Sequence, residues 1–127
     1  MRKKILLIDD DKALTQIYDK KFRSKGYEVS VAADGQEGLK KITEEKPDMV
    51  LLDIILPKLD GVMLFRKMRA QNETANTPVI LLTNVDEEDA VRECFKLGAI
   101  DYLVKSEVTP EKVWRKVEDF FVDLERE

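Results

Sequence analysis

No histidine occurs anywhere in the 127 residues. Its absence excludes Ser-His-Asp and Cys-His catalysis by this chain alone, and any histidine-ligated metal site. Cys94 is the only cysteine, so no intramolecular disulfide can form and a reducing compartment suits the chain. Purely apolar runs reach only four or five residues, too short to cross a bilayer, so no membrane contact is expected. The basic start, Arg2 to Lys4, leads straight into a strand-like segment without the apolar stretch and cleavage site of a signal peptide. A cytoplasmic location is the resulting expectation. Linkers, internal repeats and low-complexity stretches are also missing. Basic residues lie scattered among acids and the net charge is −4, which argues against nucleic acid as a partner. What is present is 43% hydrophobic and 38% charged residues, the balance of one soluble globular domain.

The apolar pattern alternates five times between short strand-like runs and longer helical ones. The strand-like runs are Lys4 to Ile8, Tyr27 to Ala32, Met49 to Leu52, Val79 to Leu82, and Tyr102 to Val104. Four are nearly continuous in apolar residues, as parallel strands covered on both faces should be. In the second, Tyr27, Val29 and Val31 alternate with Glu28 and Ser30, the mark of an edge strand. Between the strands lie helix signals. Asp34 with Glu37 has capping-box spacing, Asp86 precedes an acidic first turn, and Thr109-Pro110 sets a capping hydroxyl before a first-turn proline. Gly26 and Gly98 suit left-handed helix ends. Val113, Val117, Phe120, Phe121 and Leu124 form a helical apolar stripe, with Trp114 beside it as either a core flank or a partner contact. The chain is thus expected to be α/β, a (βα)5 doubly wound five-stranded parallel sheet. A single domain over residues 1–127, with no output domain, is the expected organisation.

Ligands of such sheets bind beyond the carboxyl ends of the strands. The first strand runs into Asp9, Asp10 and Asp11, the third into Asp53, the fourth into Thr83 and the fifth into Lys105. Carboxylates held together repel by roughly 4 kcal/mol for a pair 4 Å apart at an effective dielectric of 20. A divalent cation relieves this, and oxygen ligands with few protein contacts suit Mg2+. A carboxylate there can attack phosphorus to give an acyl phosphate, with a lysine neutralising the transferred group and a hydroxyl donating to it. Each residue also has a plainer role: Asp11 reads as a helix cap, Asp60-Gly61 as a turn, and Met63, Phe65 and Met68 as packing. The joint placement of Asp9, Asp10, Asp53, Thr83 and Lys105 is what points to chemistry.

With ILLIDDD closing the first strand, DIILPKLDG after the third, ILLTN at the fourth and GAIDYLVK at the fifth, the sequence resembles the receiver domain of two-component response regulators. The resemblance runs from about Lys3 to the last helix and implies a flavodoxin-like strand order, 2-1-3-4-5. It implies Asp53 as phosphoacceptor, and Asp9 and Asp10 as the acidic pair, with Asp10 the direct Mg2+ ligand. Asp53 and the Ile55 backbone carbonyl would join the metal site. Lys105 would pair with the phosphate, the Thr83 hydroxyl would move to bond it, and Tyr102 would be the switch aromatic. The donor would be a phosphohistidine on a sensor histidine kinase or a histidine phosphotransfer protein. Readout would fall on the helix beginning near Asp86, the last strand and the last helix, toward a downstream protein or a homodimer formed on phosphorylation. On this reading the chain is a regulator rather than an enzyme acting on a separate substrate.

Three departures from the family pattern stand out. Ser106 follows Lys105 where the family usually has a proline, often cis. A cis bond costs about 2.5–4 kcal/mol without proline, which leaves the Lys105–Ser106 isomer open. Asn84 follows Thr83 where a small residue is common. Ile55 and Val85 occupy the two positions that tune dephosphorylation, and neither side chain can hydrogen-bond an attacking water, so a long-lived phosphoryl group is expected. The competing readings are a receiver-like binding module that works without phosphorylation, and a phosphatase with an aspartyl-phosphate intermediate. The latter usually carries a D-x-D motif with its nucleophile after the first strand, where this chain has contiguous Asp9 to Asp11, and the added cap segment that would bind a substrate is not expected here.

Overall fold

The computed structural model describes residues 2–84 and 88–126. In chain order the elements are β1 (Lys4–Ile8), α1 (Lys12–Ser24), β2 (Glu28–Ala32), α2 (Gly35–Glu45), β3 (Met49–Leu52) and α3 (Gly61–Ala70). They continue with β4 (Val79–Thr83), α4 (Glu88–Lys96), β5 (Asp101–Val104), a 3₁₀ turn at Lys105–Glu107, and α5 (Pro110–Glu125). The strands pair in parallel in the order β2-β1-β3-β4-β5, the expected doubly wound sheet.

Strand side chains alternate between two apolar layers. Leu6, Ile8, Val50, Leu52, Val79 and Leu81 face α2, α3 and α4, where Ile42, Leu64, Phe65, Met68 and Cys94 meet them. Ile5, Leu7, Met49, Leu51, Ile80 and Leu82 face α1 and α5, against Tyr18, Phe22, Val113, Val117 and Phe121. Both faces are covered, which is why the central strands read as unbroken apolar runs. β2 is an edge, as its alternation predicts. β5 is the other edge, and all four of its residues are only half-buried. Its apolar run therefore does not mark a strand covered on every side.

Caps fix where the helices begin. Asp11 accepts from the Leu14 N–H (3.1 Å), Asp34 from Glu37 (2.8 Å) and Thr109 from Lys112 (3.2 Å), with Pro110 opening α5. Gly26 and Gly98 adopt positive φ, +91° and +93°, where a side chain would be strained. Val85 and Asp86 lie outside the described residues, and with them the cap expected for α4. Asp60 is more than a turn residue: it accepts from the Met63 N–H (3.0 Å) as the N-cap of α3. Phe65 and Met68 are fully buried, but Met63 is 40% exposed and is not part of the packing. Leu124 likewise leaves the apolar stripe of α5, at 49% exposure. Trp114 flanks the core between α1 and α5, its ring centroid 4.3 Å from Lys25 Nζ and its Nε1 buried without a hydrogen-bond partner among the described residues.

Candidate functional site

The parallel register gathers the strand ends at one edge. Ile8 lies opposite Leu52, so the next residues, Asp9 and Asp53, emerge side by side. The ladder carries one step further: the Asp9 N–H donates to the Ala32 carbonyl and the Asp53 N–H to that of Ile8, both at 3.0 Å. On the other flank Thr83 pairs with Val104, and Lys105 leaves β5 immediately beyond.

Asp9 and Asp53 are buried, at 6% and 7% exposure, and Thr83 is wholly buried, whereas Asp10 is exposed. The Lys105 ammonium lies 2.9 Å from Asp53 Oδ2 and also pairs with Asp9 Oδ2. The second oxygen of each carboxylate is held by backbone: Asp9 Oδ1 accepts from the Asp11 N–H (2.9 Å) and Asp53 Oδ1 from the Ile55 N–H (3.3 Å). Burial works against charge on Lys105, but its hydrogen bonds to Asp9 and Asp53 prevail and raise its pKa above the ordinary lysine value. For Asp9 burial is the larger effect and lifts its pKa, against the lowering by Lys105 and the Asp11 N–H.

Asp9, Asp10 and Asp53 each offer a carboxylate oxygen, and these atoms all lie within 4.8 Å of one another. An all-oxygen, anionic donor set of this kind fits a hard divalent cation such as Mg2+. The five residues singled out by chemistry thus converge on one edge. Tyr102 does not sit among them: it pairs with Leu81 in the sheet and is half-buried against the layer under α4. The Ile55 side chain is 51% exposed beside Asp53, and Asn84 is exposed. The Lys105–Ser106 peptide is trans, since no cis bond occurs among the described residues, and Ser106 sits in the 3₁₀ turn.

Two contributions escape a reading of strand ends. Gly61 brings the start of α3 against the loop that carries Asp53, its N–H donating to the Ile54 carbonyl at 2.7 Å. A Cβ there would lie 2.5 Å from the Asp53 carbonyl oxygen, so the DG pair was the available signal and its meaning was close approach. Asp11 acts twice, capping α1 with its side chain and orienting Asp9 with its N–H.

The model of the response regulator receiver domain family matches residues 5–118. The chain belongs to that family. It is similar to the alkaline phosphatase synthesis transcriptional regulatory protein PhoP of Bacillus subtilis (strain 168), at 41% identity over 105 residues. That match covers 83% of this chain and 43% of PhoP, so the chain spans less than half of that relative's length. Among solved structures, a CheY-like receiver domain protein from Methanospirillum hungatei JF-1 aligns with a TM-score of 0.91 at 29% identity. It covers 99% of this chain and 98% of that one. The Mn(2+)-bound form of response regulator Rcp1 aligns at 27% identity and TM-score 0.81, covering 94% of each chain. The chain is therefore a receiver domain of two-component response regulators, a signalling family, and its acidic pocket fits an aspartate phosphoacceptor with Mg2+. Receiver domains work with sensor kinases or phosphotransfer proteins and with downstream targets. No described helix is long and apolar enough to cross a membrane.

Proposed function

We propose that Asp53 takes a phosphoryl group from a phosphohistidine on a sensor histidine kinase or histidine phosphotransfer protein, and that the acyl phosphate alters partner binding. The observation that carries this reading is the Lys105 ammonium shared between Asp53 and Asp9, within a cluster of carboxylates at the strand ends. An Asp53 carboxylate oxygen attacks phosphorus, the P–N bond breaks, and the imidazole nitrogen leaves with the electron pair. Lys105 follows the charge onto the transferred group, and the Thr83 hydroxyl donates to one of its oxygens. Asp10, Asp53 and the Ile55 carbonyl would hold Mg2+, with Asp9 beside them. When bound, the ion supplies charge neutralisation to the transferring phosphoryl group. The Mn(2+)-bound state of Rcp1 is consistent with a divalent ion at such a site.

The added charge biases Thr83 and Tyr102, and through them the face formed by α4, β5 and α5. A downstream protein or a second copy of the chain reads that face. Ile55 offers no group to hold an attacking water, so the phosphoryl group decays slowly; Val85, the other position expected to tune decay, lies outside the described residues. In this reading the chain acts as a regulator, catalysing only its own phosphorylation and slow dephosphorylation, in a cytoplasmic pathway. The test is to load the protein from acetyl phosphate with Mg2+ and then add hydroxylamine. An acyl phosphate is stripped rapidly by hydroxylamine and slowly by water; label that survives hydroxylamine refutes an aspartyl phosphate.

A further inference from the structure

Below Asp9 and Asp53, on the α1 side of the sheet, lies a cavity of about 10 Å3. Leucines of β1, β3, β4 and α1 line it together with the two aspartates, Thr15 and Tyr18. The phenol of Tyr18 is an odd member of that set. It is only 2% exposed, on a helix face otherwise occupied by Leu14 and Phe22, where a phenyl ring would fill the same space. Among the described residues Asp9 accepts from Asp11 and Lys105, Asp53 from Ile55 and Lys105, and Thr15 donates to the Lys12 carbonyl, and none of these bonds involves the Tyr18 hydroxyl. Yet after burial the charges acting on the phenol are those of Lys105 and Asp9.

Phosphorylation changes what Asp9 can rely on. A phosphoryl group on Asp53 moves negative charge outward, and Lys105 moves with it. Asp9 Oδ1 then retains the Asp11 N–H while Oδ2 loses the ammonium it pairs with, and a buried carboxylate oxygen left without a hydrogen-bond donor is costly. We propose that Tyr18 is a positioning residue of the phosphoacceptor site, its hydroxyl donating to the Asp9 carboxylate once a divalent cation or the phosphoryl group displaces Lys105 from it. This rests on Asp53 being the phosphoacceptor. The O–H supplies the donor that the departing ammonium withdraws, and it fixes the orientation of a carboxylate in the metal cluster. Donors behind metal-binding groups tune affinity in the same way.

Tyr18→Phe removes the hydroxyl and keeps the ring, so packing is preserved. Mn2+ affinity read by electron paramagnetic resonance should fall about 10-fold in the variant. Phosphoryl uptake from acetyl phosphate, read by intact mass, should slow several-fold while the thermal midpoint stays unchanged. A tyrosine ultraviolet difference spectrum should develop when the parent protein is phosphorylated, and the part of it that Tyr18 contributes beside Tyr102 should be missing from Tyr18→Phe. Equal Mn2+ affinity and equal uptake in the two proteins, or a parent without a Tyr18 difference signal, overturn the assignment of Tyr18 alone. No uptake in either protein overturns the Asp53 reading, and this inference with it.

Discussion

With one ammonium shared between two buried carboxylates, Lys105→Met leaves Asp9 and Asp53 facing each other without a cation. In chelator the variant should lose about 1–3 kcal/mol of stability. Added Mg2+ should raise its melting temperature more than the parent's, because the ion no longer competes with an ammonium. Calorimetric melting in chelator and in Mg2+ checks this; an unchanged midpoint in chelator contradicts it. A second residue reports on alkaline pH. Burial first, then the hydrogen bond and charge of Glu118, raise the pKa of Tyr27 above the ordinary phenol value. The unfolded phenol gives up its proton near pH 10 while the folded one keeps it, so the folded state binds more protons above that pH. Stability from this group is complete below about pH 10 and is lost as pH rises through the folded pKa. Urea melts should therefore decline less steeply above pH 10 for Tyr27→Phe than for the parent; parallel declines would contradict the assignment.

At the scale of elements, the start of α3 is held against the loop that carries Asp53. Gly61→Ala would drive a Cβ to 2.5 Å from the Asp53 carbonyl oxygen and 2.7 Å from Ile54 Cα, backbone atoms that cannot rotate away. The substitution should cost about 1–3 kcal/mol in a chemical melt, and the displaced loop should slow phosphoryl uptake. A variant of full stability and full uptake would show that this contact does not position the loop. The same loop marks where sequence stops being informative. Strand and helix periods, Asp34, Thr109 and the two left-handed glycines state their structure locally, so those elements are legible. The closeness of Gly61 to Asp53 depends on how a loop folds back, which no local pattern records. β5 misleads for a related reason: Tyr102 packs on the layer under α4 and Leu103 on the layer under α5, although no described strand lies beyond.

Taken whole, the molecule is a sheet that brings distant chain segments to one edge. Asp9, Asp10, Asp53, Thr83 and Lys105 were legible as a set because parallel strands must deliver their ends together. Their individual geometry was not: the sharing of Lys105 between two acids follows from three-dimensional packing. The central claim is that Asp53 accepts a phosphoryl group at this edge. Intact mass spectrometry of the protein after incubation with Mg2+ and acetyl phosphate tests it most directly, beside Asp53→Asn and a sample held in chelator. One added phosphoryl group on the parent, missing from the variant and from the chelated sample, is the predicted result. A folded parent that gains no mass, or an Asp53→Asn variant that gains it equally, would contradict the account.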